Sequence, residues 1–185
     1  KKSIPWFGRN SDIYNLKGER VFFTWSRLLS FNREIYVYQA AEPRDELLYL
    51  KAGGFAGLSI TYAVYDSITG GQIGAVRRNG VKSLLEDEWA FLSPDEREIG
   101  LISENDPQLA RRRHILGSAL PQRYTGRVGG AEVCAFDQEP SLYSARLTLR
   151  FLPESERRLD RRLGLAAAIL LCLVEGKQKS LLPDF

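Results

Sequence analysis

Twelve consecutive residues, Leu163 to Val174 (LGLAAAILLCLV), carry no polar side chain. Leu159-Asp160-Arg161-Arg162 precedes the run and Gly176 supplies a stop, with Ser155 as a candidate N-cap and Asp160 in the early turns. This pattern predicts a helix over about 157–175. At about 1.5 Å per residue the apolar run is about 18 Å long, short of the roughly 30 Å that a bilayer core demands. A transmembrane segment is therefore the weaker reading. A helix that is apolar on every side and too short to span lipid is buried in protein on every side.

What surrounds it is written in the rest of the chain, which reads as short strands separated by turn residues. Arg20–Ser26 and Glu34–Gln39 are rich in aromatic and β-branched residues, and Leu47–Lys51 is a strand stopped by Gly53-Gly54. Leu58–Asp66 alternates, Ser67–Gly71 connects, and Gln72–Arg78 returns. Trp89–Leu92 and Glu98–Ser103 flank a turn, and Gly129-Gly130 joins Arg123–Val128 to Ala131–Phe136. Ser144–Phe151 has one dry face (Ala145, Leu147, Leu149, Phe151) and one wet face (Ser144, Arg146, Thr148, Arg150), the mark of an antiparallel sheet with one solvated side. In such a chain a helix is enclosed by a closed barrel. The expected fold is mainly β: one domain over 1–185, a closed antiparallel β-barrel of about twelve strands across residues 20–152, and a hydrophobic helix at its centre.

Composition excludes more chemistry than it suggests. The single histidine, His114, removes every site that needs two imidazoles. The acids Glu86, Asp87 and Glu88, or Asp95 and Glu96, do not follow the ligand order of a calcium loop, and no Gly-rich phosphate loop, GxSxG or CxxC motif occurs. We therefore expect no catalytic residues, no metal and no cofactor. Cys134 and Cys172 lie in apolar contexts and read as buried thiols. The opening KKSIPWFGRN has charge without an apolar core, so no secretory signal is expected there, and the location expected is the cytoplasm, peripheral to the membrane if lipid is bound.

The stretch Val64 to Trp89 and the terminal LDRRLGLAAAILLCLVEG resemble the tubby C-terminal-like superfamily, which comprises the tubby proteins, the phospholipid scramblases and the plant LURP-one-related proteins. The shared pattern is an acidic residue ending a strand, a Gly turn, a strand containing Gly, basic residues and a later Trp. Here these are Asp66, Gly70-Gly71, Gly74, Arg77-Arg78 and Trp89. The resemblance implies a twelve-stranded barrel threaded by its last helix and a lipid-related role. This chain departs from the scramblases: it has no cysteine-rich segment, and its pre-helix stretch PESERRLDRR holds four arginines and three acids in place of an acidic calcium site. No tubby motif transfers a headgroup-binding position to it.

The net charge is only +3, from 26 Lys+Arg and 23 Asp+Glu, so candidate sites rest on local concentration. Arg111, Arg112, Arg113, Arg123 and Arg127 fall in a stretch, 111–127, without an acid; Arg77, Arg78 and Lys82 form a second group beside the Asn79-Gly80 turn. Guanidinium forks suit phosphate oxygens, so these eight residues are the candidate anion or lipid-headgroup contacts. The plainer reading is a solvated surface whose arginines pair with nearby acids. Nucleic acid is disfavoured because core packing accounts for most of the aromatic residues. The expected function is a non-catalytic binding module for anionic phospholipid or phosphoinositide headgroups. The alternatives are a protein-protein interaction scaffold and a scramblase-like membrane protein.

Overall fold

A computed structural model describes residues 8–29, 32–40, 45–56, 59–79, 88–105, 122–139 and 146–178. Among the described residues eleven strands form one antiparallel sheet in which every strand pairs with its neighbour in sequence. They are β1 (Gly8–Tyr14), β2 (Arg20–Leu29), β3 (Asn32–Gln39), β4 (Glu46–Ala56), β5 (Ser59–Asp66), β6 (Gln72–Arg78), β7 (Glu88–Leu92), β8 (Glu98–Glu104), β9 (Gln122–Val128), β10 (Ala131–Glu139) and β11 (Arg146–Phe151). Two helices follow, α1 (Ser155–Arg158) and α2 (Arg161–Gln178).

The period-2 alternation fixes the inner face. Ile35 and Val37 of β3, Leu48 and Leu50 of β4, Val64 of β5, Val76 of β6 and Phe91 of β7 are buried in one cluster with Leu163, Ala166, Ala167, Leu170 and Leu171 of α2. Ala166 to Leu171 are six successive buried residues, and at about 100° per residue they cover the whole circumference of the helix. The sheet therefore curls around α2. Gly164 makes the fit possible, because a Cβ there would lie 2.6 Å from the Phe151 ring.

Several expectations are corrected. The sheet is not a closed barrel of twelve strands: it runs open from β1 to β11, and among the described residues no pairing joins the two edges. Burying a helix on all sides requires the sheet to curl, which strand twist supplies, but does not require its edge strands to hydrogen-bond. The sheet starts at Gly8, ahead of the expected boundary, because β1 pairs along β2 from Gly8↔Arg27 to Tyr14↔Arg20. The glycines 53 and 54 do not stop β4, which continues to Ala56 opposite β5. The helix is broken at Leu159, whose backbone is extended; Asp160 then caps α2, its Oδ1 accepting the Arg162 amide at 2.9 Å. Ser155 lies within α1 after Glu154. The wet face is also incomplete, since Ala75, Ala90 and Leu92 form a second buried cluster on the side of β6 and β7 away from α2.

Candidate functional site

Two of the residues that carried the family resemblance, Asp66 and Gly74, seat the start of the helix on the sheet. Asp66 ends β5, and its Oδ1 accepts the amides of Ile68 (2.8 Å) and Thr69 (3.2 Å), which shapes the turn. Its Oδ2 accepts from the Arg162 guanidinium at 2.6 Å, and Arg162 also donates to Asp160 at 2.6 Å. The start of α2 is thus clamped to the β5–β6 hairpin. Gly74 leaves room for Leu163 to approach β6.

These bonds move proton affinities in one direction. The Ile68 and Thr69 amides, with Arg162, hold the Asp66 carboxyl below its ordinary value, and Arg162 does the same for Asp160. A carboxylate whose folded-state pKa is depressed stabilises the fold above the unfolded value of about 4 and stops doing so as pH falls through the folded one. Melting temperature should therefore drop on going from pH 7 to pH 3, and Asp66→Asn should shrink that drop while lowering stability at pH 7. An unchanged pH dependence in the variant, read by thermal denaturation, refutes the clamp.

The candidate arginines divide between the two faces of the sheet. Arg77 points outward and pairs with Glu98 at 2.7 Å, whereas Arg78, next in the strand, turns inward with its guanidinium 5.9 Å from the Trp89 ring centroid. Arg127 points outward to Glu132 at 2.7 Å and to the Ser103 hydroxyl at 3.4 Å. Arg123 lies 3.4 Å from one oxygen of Asp137, and Arg150, on β11, reaches the other oxygen at 2.7 Å. Lys82, Arg111, Arg112 and Arg113 lie outside the described residues, as does His114.

The structure thus brings together Arg123 and a residue the sequence reading left out, Arg150, while Arg127 keeps to its own partners farther along β9. Two guanidiniums from β9 and β11 flank a single carboxylate from the strand between them. Arg123 and Arg150 are 73% and 62% exposed, so solvent and ligands reach both. The signal for Arg150 was its place on the wet face of its strand. What sequence did not supply was register: Asp137 lies opposite both Arg123 and Thr148.

Aromatic residues also occupy the outer face, where core packing does not account for them. Trp25, Tyr36, Tyr49 and Tyr65 form a row across β2 to β5, with ring centroids 5.0 to 5.9 Å apart and planes 31° to 40° from parallel. Neighbouring rings cover one another's faces, and the Tyr36 and Tyr49 hydroxyls both donate to Glu34. Burial and Glu34 together raise the Tyr49 pKa. The row is a cross-strand ladder of ring contacts that stiffens the sheet.

Inside the sheet, Gln122 and Gln138 face each other across β9 and β10 and are 6% and 4% exposed. The Gln122 Oε1 and both polar atoms of Gln138 have no hydrogen-bond partner among the described residues. Burial pushes the Cys134 thiol up to about 12, which makes it a poor nucleophile, while Cys172 is half-buried. Among the described residues no group of three His, Cys, Asp or Glu is placed to hold a metal, and no helix is long and apolar enough to cross a membrane. No family model, curated protein or solved structure matches the chain.

Proposed function

We propose that this protein is a non-catalytic binding module that takes anionic phospholipid headgroups on the outer face of β9 to β11. The observation that carries the reading is the shared carboxylate: Arg123 and Arg150 both lean on Asp137. One carboxylate does not neutralise two guanidiniums, and exposed ion pairs of this kind are worth only about 0–1 kcal/mol, so they exchange readily for a phosphate. A phosphate bridging the pair gains two charge-assisted contacts. A lipid-related role is also what the tubby-like resemblance implies.

Co-sedimentation with phosphatidylcholine vesicles, with and without phosphatidylserine, tests this. Binding to the anionic vesicles should weaken as salt rises, since screening shortens the reach of exposed charge to about 8 Å at physiological ionic strength. Arg123→Ala and Arg150→Ala should each reduce it about fivefold at low salt, the equivalent of about 1 kcal/mol per cation. Asp137→Asn should strengthen it, because the two arginines are then unopposed. Weaker or unchanged binding by Asp137→Asn overturns the site.

A further inference from the structure

Gln122 opens β9 and Gln138 stands one residue from the end of β10, and the register sets the two directly opposite each other. Both face inward. Tyr124 and Phe136, the next inward residues on the two strands, are fully buried in the core, and Leu147 of β11, opposite Gln138, packs against it. The pair lies at the end of the sheet remote from the start of α2, because the Gly129-Gly130 turn at the other end of β9 and β10 is the one beside Arg158.

The two glutamines are only 6% and 4% exposed, yet Gln122 Oε1 and both Oε1 and Nε2 of Gln138 have no hydrogen-bond partner among the described residues. Opposed residues on paired strands have Cβ atoms about 4.5–5.5 Å apart, close enough for two carboxamides to bond each other. These two do not. A buried amide without a partner costs free energy, and only a partner recovers it.

The unmet groups specify that partner: two acceptors and one donor. Oε1 and Nε2 of Gln138 lie on one planar amide and aim in diverging directions, so no single atom, a water oxygen included, takes both. A planar edge with a donor beside an acceptor does, which is how glutamine reads the amine and ring nitrogen of adenine. The second hydrogen of such an amine is left for Gln122 Oε1. We propose that Gln122 and Gln138 form an internal site for a flat, uncharged heterocycle that carries an amine beside a ring nitrogen, as adenine does. Tyr124, Phe136 and Leu147 supply the apolar wall, in keeping with ligand sites that combine an apolar lining with a few placed polar groups at the mouth of a curled sheet. The site goes beyond the headgroup reading and shares no residue with it.

Isothermal titration calorimetry with adenine and hypoxanthine as probes tests the proposal. Hypoxanthine carries a carbonyl oxygen in place of the amine, which sets an acceptor against two acceptors. Adenine should bind one to one, and hypoxanthine about a hundredfold more weakly. Gln138→Leu should weaken adenine binding about a hundredfold and Gln122→Leu about tenfold, since they remove two hydrogen bonds and one. Each replaces an unmet polar group with an apolar one of similar size, so thermal unfolding should stay cooperative. Arg150→Ala should leave the affinity unchanged, because adenine is uncharged. Equal affinity for the two purines, adenine affinity that survives Gln138→Leu, or no adenine binding by the parent protein overturns the site; solvent alone then meets the amides. None of these results bears on vesicle binding, so the two readings fail separately.

Discussion

Ala167→Arg should yield no folded protein. Ala167 lies within the six-residue stretch of α2 that is buried around its whole circumference, and its own exposure is 0%. A guanidinium placed there has no route to water, and among the described residues no acidic residue is buried. An unpaired buried charge costs several kcal/mol, and the added volume has nowhere to go in a packed interior. Total stability of a domain this size is of order 5–15 kcal/mol, so the substitution removes most or all of it. Expression should give aggregate, or material without a cooperative melting transition. A soluble Ala167→Arg protein with a sharp thermal transition contradicts the enclosure of the helix by the sheet.

The second large effect is expected from a single methyl group. A Cβ at Gly74 would stand 2.5 Å from the Leu92 carbonyl oxygen and 3.3 Å from a Leu163 methyl. The first neighbour is the backbone of the paired strand, so it does not swing aside as a long side chain does. Gly74→Ala must part β6 from β7, where Ala75 pairs with Leu92, or push Leu163 out of the core. Overpacking of this type costs about 2–3 kcal/mol, which for a chain of this length lowers the melting temperature by about 5–10 °C. Gly53→Ala is the matched control, since nothing lies within 4 Å of a Cβ there. Equal melting temperatures for the two variants remove Gly74 from its role as the seat of Leu163.

Most strands were legible because alternation is a direct consequence of strand geometry. The alternation from Arg146 to Phe151 and the Gly129-Gly130 hairpin, with φ of +57° and +82°, appear in the structure where the sequence puts them, while Ser144 and Ala145 lie outside the described residues. What alternation does not say is which face is inside. In β3, Ile35 and Val37 turn inward while Tyr36 and Tyr38 turn outward, and both sets are hydrophobic; only the neighbouring strands decide. β1 was illegible for the opposite reason. Asn10, Ser11 and Asp12 have poor strand propensity, and the segment is extended because β2 offers it a ladder. The break before α2 was legible in principle, since Asp160 is a good cap, but a capping acid and an early-turn acid look alike in one dimension. The arginines were visible one by one. Their grouping was not, because Arg123 and Arg150 are 27 residues apart in sequence and meet through the register of a third strand.

The order of elements along the chain has a consequence for synthesis. Each strand pairs with the one made just before it, so the ladder forms from contacts short in sequence, the kind that assemble quickly. The helix that fills the interior follows all eleven strands. While the ribosome is still extending the chain, the concave side of the growing sheet, with Val37, Leu50, Val64 and Phe91 along it, has no partner. The nascent protein is most prone to aggregation in the interval between completion of β11 and release of α2, when the apolar surface is largest and nothing covers it.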